Sequence, residues 1–160
     1  MAAPIRKKSP AVRIVDDEPL ACTGGRMRKL TRRMTSFYEQ YLRQIGITLA
    51  QYSMLSHLDT EPQTLLQLAD RLETDRTTLS RNLKALIDNG WVAEVAGDDA
   101  RQRRLVLTAS GHQFRQRSRA VWGRAQLALE AQLGRDFVAN LNAQLENALA
   151  RLKPALPEDN

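Results

Sequence analysis

The chain has 160 residues, 42% of them hydrophobic and only 5% aromatic, with a net charge of +6 and a single cysteine. That length suffices for one domain with a real core, and one cysteine excludes an internal disulfide. The basic balance favours a polyanionic partner, with nucleic acid ahead of a membrane surface because the arginines are spread over several elements.

No apolar run approaches the length of a membrane span, and the N-terminal stretch lacks the apolar segment of a signal peptide, so a cytoplasmic location is expected. His57 and His112 stand isolated, and the sequence carries neither a phosphate-cradling glycine loop nor a metal-ligand spacing. No catalytic residue, metal or cofactor is therefore assigned, and the chain is not expected to be an enzyme.

Residues 1–19 mix Pro, Lys, Arg and an acidic Asp16-Asp17-Glu18 cluster without periodicity, which reads as a flexible arm. Its Arg6, Lys7, Lys8 and Arg13 are available for DNA phosphate, beside the plainer reading of a solvated tail. From about Leu20 to Ile45, Met27, Leu30, Met34, Phe37, Tyr38, Tyr41, Leu42 and Ile45 recur at helical intervals. Gly24-Gly25 weakens helix by roughly 1 kcal/mol per glycine relative to alanine, so the regular helix is expected from Arg26, and Gly46 stops it. Thr48 with Gln51 makes a capping-box pattern and opens a helix to about Asp59 that buries Tyr52, Leu55 and Leu58.

A second capping-box pair, Thr64 and Gln67, opens a helix to Leu72 with Leu65, Leu68, Ala69 and Leu72 on one face. Glu73-Thr74-Asp75 forms a turn, with Thr74 or Asp75 as N-cap of the next helix. That helix turns Leu79, Leu83, Leu86 and Ile87 inward and leaves Arg76, Thr77, Thr78, Ser80, Arg81 and Lys84 outside; Gly90 ends it. Short hydroxyls and long cations on one exposed face are what a major-groove reader needs, although an ordinary solvated face has the same composition. Two β-like runs follow, Trp91 to Val95 and Leu105 to Thr108, around Gly97-Asp98-Asp99. They predict a hairpin wing whose tip and returning strand hold Arg101, Arg103 and Arg104.

Thr108 or Ser110 then opens a long helix to about Leu133, with Phe114, Val121, Trp122, Ala125, Leu129 and Leu133 on one side. After Gly134 a last helix carries Phe137, Val138, Leu141, Leu145, Ala148, Leu149 and Leu152 and ends before Pro154. Such a stripe on a terminal helix has few partners within one small subunit, so the last helices and the N-terminal one are expected to form a homodimer interface. Packing within one chain is the alternative.

Helix-turn-helix, then Asn89-Gly90-Trp91-Val92, then Asp99-Ala100-Arg101 leading into Leu105-Val106-Leu107-Thr108 and Gly111, resembles the MarR family of winged-helix transcriptional regulators. The resemblance covers roughly Arg26 to Leu152. It implies a mainly α fold with a small β-wing, a winged helix-turn-helix domain plus N- and C-terminal dimerisation helices. The expected organisation is a domain over 20–153, with 46–108 reading DNA and 20–45 and 109–153 dimerising, followed by a tail at 154–160.

By the same resemblance, Asp99 holds Arg101 extended into a minor groove, while Arg103 and Arg104 are assigned to phosphates. A two-fold dimer on double-stranded DNA would read an inverted repeat, as a repressor released by a small aromatic or phenolic effector. Arg28, Arg33, Tyr38, Tyr41, Tyr52, His57 and Trp122 are the candidate lining of that effector site. The competing reading is a hydroperoxide or thiol sensor through Cys22, supported by Tyr38 and Tyr52. Leu49 stands where that branch carries a second tyrosine, and Cys22 falls two residues early. A constitutive DNA-architectural protein without effector is the third reading.

Overall fold

The computed structural model describes residues 22–97 and 103–152. The chain falls into two compact units, Met1–Met34 and Thr35–Asn160. Helix α1, Thr23–Leu42, begins in the first and ends in the second. It starts three residues before the expected Arg26, with Arg26 N–H already bonded to the Cys22 carbonyl at 3.1 Å. Glycines in a first turn, where several N–H groups lack intrahelical partners in any case, are tolerated by a twenty-residue helix. Within the first unit, Cys22 through Lys29 are exposed.

In the second unit α1 gives way at Leu42 to a 3-10 turn, Arg43–Ile45. Both capping boxes form. Thr48 Oγ1 accepts from Gln51 N and Gln51 Oε1 from Thr48 N at the start of α2, Leu49–His57. Thr64 and Gln67 do the same for α3, Leu65–Leu72. Glu73 then adopts a left-handed conformation (φ 45°), and Asp75 rather than Thr74 caps α4, Arg76–Asp88, accepting from Thr78 N at 2.8 Å. Gly90, at φ 71°, turns the chain out of α4.

The wing strands are β2, Val92–Ala96, and β3, Arg103–Leu107, antiparallel with Val92 opposite Leu107 and Ala96 opposite Arg103. A two-residue strand not expected from the sequence, β1 at Gln63–Thr64, pairs with the other edge of β3, giving the order β1-β3-β2. Thr64 thus ends a strand and caps a helix.

Helix α5, Ala109–Leu133, is capped by Thr108, whose Oγ1 accepts from Gly111 N at 2.9 Å and donates to the Gly90 carbonyl at 2.7 Å. Gly111 is required there: a Cβ would run into the Trp91 carbonyl oxygen. Ser110, the other cap candidate, bonds Gly90 O instead. Leu55, Leu68, Leu79, Leu86, Val92, Leu107 and Phe114 are among the side chains that close one core beneath α2, α3, α4, the sheet and α5. Trp91 stacks on Phe114 with ring centres 3.6 Å apart. Helix α6, Arg135–Arg151, buries only Val138; Phe137, Leu149 and Leu152 are 57%, 60% and 76% exposed.

Candidate nucleic-acid interface

The reading surface follows from which way α4 is rolled. Leu79, Leu83 and Leu86 are buried, so Arg76, Thr77, Thr78, Ser80, Arg81 and Lys84 all stand exposed on the other side. Asp75 at the cap accepts backbone N–H groups, chiefly that of Thr78, and these bonds hold its carboxyl below the usual carboxylate range. The N-terminal turn therefore carries its own fixed negative charge beside Arg76.

Among the described residues, no carboxylate pairs with Arg76 or Arg81. Lys84 is different. Its Nζ lies 2.8 Å from Asp88 Oδ2, one turn further along the same helix. In the wing, Arg103 is likewise committed, donating to Glu94 Oε2 across the two strands at 2.8 Å. Arg104 is half-buried on β3, opposite Thr64 on one side and Val95 on the other. Asp99 and Arg101 lie outside the described residues. Of the ten residues expected at DNA, six thus share one exposed helix face.

The residues expected around an effector separate. Tyr38, Tyr52 and Trp122 are brought together: Trp122 lies nearly parallel to Tyr38 (centres 6.3 Å apart, 9°) and to Tyr52 (6.0 Å, 15°). Tyr41 instead tilts against Phe37 at 5.8 Å. His57 turns its Nδ1 to the Ser53 carbonyl of its own helix at 2.7 Å. Arg28 and Arg33 are exposed on the part of α1 that belongs to the first unit, as is Cys22 before it.

Two partners of this aromatic group were not singled out by sequence. The Tyr38 hydroxyl donates to Gln126 Oε1 at 2.6 Å, and Gln126 Nε2 donates to Glu130 Oε1 at 3.0 Å. Burial, with the nearby Glu130 charge adding to it, raises the Tyr38 phenol above its ordinary value, so the hydroxyl stays a donor across the neutral range. Their spacing along α5 was legible, but nothing local says that Tyr38 meets them.

Among the described residues there is no cluster of three metal-ligating side chains, and no helix is long and apolar enough to cross a membrane.

A family model described as the MarR family matches residues 45–104. The chain is 34% identical over 70 residues to YwoH, an uncharacterized HTH-type transcriptional regulator of Bacillus subtilis; the match covers 43% of this chain and 51% of that protein, about half its length. The structure of the M. tuberculosis transcriptional regulator MOSR in complex with DNA is similar, at TM-score 0.63 and 32% identity, over 80% of this chain and 98% of that one. A mutant of the regulator MarR from E. coli complexed with operator DNA matches at TM-score 0.70 and 26% identity, over 79% of this chain and 92% of that one.

Proposed function

Because this chain belongs to the MarR family of winged-helix, DNA-binding transcription regulators, we propose that it acts in the cytoplasm as a homodimer reading an inverted-repeat operator, and that a small aromatic acid or phenol releases it. The family consists of regulators, not enzymes. The observation that carries the reading is the face of α4, where six polar and cationic side chains are exposed together and three leucines fix the roll. The likeness to two regulators described as DNA complexes supports it.

In this reading α4 enters the major groove. Arg76 and Arg81 are free of carboxylate partners among the described residues and would meet guanine edges or phosphate, with Thr77, Thr78 and Ser80 beside them. The wing would follow the backbone, with Arg101 entering the minor groove under the hold of Asp99.

Dimerisation is supported by α6. Phe137 and Leu149 are exposed on a helix that buries one side chain, and Leu152 just past its end is exposed as well. Covering what each still exposes would contribute about 1–2 kcal/mol. Two copies then present two α4 helices about one helical turn, ~34–36 Å, apart. An aromatic effector is supported by Tyr38, Tyr52 and Trp122, whose ring faces offer stacking to a ligand able to compete for them. Such a ligand acts only by preferring one arrangement of the two heads over the other. Repression is the proposed sense of control and follows where the site overlaps a promoter.

The test combines three measurements. Light scattering at micromolar concentration should give the mass of two chains. Arg81→Ala should cost about 1–3 kcal/mol and relax preference at one position per half-site if it reads a base, or weaken all sequences alike if it meets phosphate. Aromatic acids should release the selected duplex. A monomer, or an Arg81→Ala protein that binds as the wild type does, overturns the reading.

A further inference from the structure

Three aromatic rings from three helices meet at the middle of α5. Trp122 of α5 lies parallel to Tyr38 of α1 and to Tyr52 of α2, at 6.3 and 6.0 Å between centres, within the range in which offset rings attract. Helix α2 packs on α3 and α4 and so belongs to the reading head. The head meets α5 along a buried face that runs from Gly111 through Phe114 and Ser118 to Val121, and two groups of contacts mark its ends. The first is the start of α5, where Thr108 and Ser110 bond Gly90 O, Phe114 stacks on Trp91, and Arg115 Nη1 donates to the Leu58 carbonyl at 2.7 Å. The second is Trp122 against Tyr52.

Contacts at both ends of that face fix an angle that one end alone would leave free. Trp122 follows Phe114 by eight residues, about 12 Å of helix. A slip of one ring thickness at Trp122, about 3.5 Å, over that distance tilts the head by roughly 15°. Over a lever arm of about 12 Å, the same length of helix, this is a displacement of the order of one base-pair rise, roughly 3.4 Å.

The other side of the stack is tethered. The Tyr38 hydroxyl bonds Gln126, which bonds Glu130, whose Oε2 lies 3.5 Å from Arg135 Nε at the first residue of α6. The same group of residues therefore reaches from a helix of the head to the beginning of α6, whose Phe137 and Leu149 are exposed.

We propose that Trp122, stacked with Tyr38 and Tyr52, is a positioning residue that selects the half-site spacing the dimer accepts. The inference rests on the dimeric reading above. It assigns Trp122 no contact with DNA: the residue sets the angle at which each head leaves α5, and the operator spacing follows from that angle.

The test uses the full chain and duplexes whose half-site centres differ by one base pair in either direction, with a single half-site as reference. Wild type should prefer one spacing by about tenfold or more, the size of the penalty for one mismatched base pair. Trp122→Leu should remain a dimer, bind the single half-site within about twofold of wild type, and either discriminate spacings by less than about threefold or move its optimum by one base pair. Tyr38→Phe, which keeps every ring and removes only the hydroxyl bond, should lose part of the discrimination. Unchanged spacing preference in a folded Trp122→Leu dimer overturns the inference, as does a loss that is equal on the single half-site and the full site. If Trp122→Leu does not fold, unchanged preference in Tyr38→Phe overturns it. A monomeric wild type indifferent to spacing overturns the dimeric reading itself, an outcome distinct from either.

Discussion

Arg103 Nη1 donates to Glu94 Oε2 at 2.8 Å across the two strands of the wing, so one of the cations expected at phosphate is held by a carboxylate of the same sheet. Both partners are substantially exposed, so the pair itself contributes little to stability. Its consequence is for binding. Glu94→Gln should free Arg103 for the backbone, tighten operator binding at low salt, and steepen the slope of log K against log salt by roughly 0.9. Fluorescence anisotropy over a salt series measures both; an unchanged slope would show that Arg103 does not reach phosphate.

Arg101 lies beyond the described residues, and its role rests on the Asp99-Ala100-Arg101 motif. Arg101→Ala should weaken operator binding by about 1 kcal/mol or more, as loss of a groove-inserted arginine does. Arg135→Ala, on the α6 side, should change it little, since Arg135 is largely exposed and its 3.5 Å pair with Glu130 is weak. Equal effects in the same titration would remove the wing assignment.

Gly111 explains why the sequence after the wing closes on a glycine. Its N–H satisfies the Thr108 cap, and its missing Cβ lets the helix lie against the Trp91 carbonyl, beside the Trp91–Phe114 stack. Gly111→Ala should cost on the order of 1–3 kcal/mol, because backbone has to move where packing is already tight. Thermal denaturation reads this directly. A melting temperature equal to that of wild type would mean that the contact is easily relieved.

What was legible in the sequence was what is decided locally. Thr48/Gln51 and Thr64/Gln67 announce helix starts because both partners of each box lie within one turn. The roll of α4 follows from three leucines at helical spacing. Asp75 rather than Thr74 as cap depended on where the left-handed Glu73 turned the chain, which a three-residue turn does not encode visibly. Strand β1 has two residues and exists only because β3 offers its edge, so it leaves no periodic signal. The same holds for the candidate effector group. Tyr38, Tyr52 and Trp122 were identifiable as aromatic residues near a junction, but His57 and Tyr41 looked equally suitable, and only the packing of α1, α2 and α5 separates them.

The Asp75 cap makes α4 sensitive to acid. Its carboxyl is held below the ordinary range by backbone N–H donors that are present only in the folded helix. A carboxyl lowered on folding contributes stability that is complete above its unfolded value, about 3.9, and is lost as pH falls through the lower folded value. Wild type should therefore melt above Asp75→Ala at neutral pH, with the gap closing in acid. Asp75→Asn, which keeps an acceptor but cannot titrate, should lack that closing. A gap independent of pH would deny the carboxylate its part in the cap.

The central claim is that two α4 helices are held at one separation and read DNA as a pair. Selection of the full chain against random duplexes, followed by measurement of stoichiometry on the selected site, tests this most directly. The expected result is an imperfect inverted repeat with half-site centres about one helical turn, ~34–36 Å, apart, bound by two chains and released steeply by salt. Selection of a lone, non-repeated site bound by one chain, or binding without sequence preference, would contradict it.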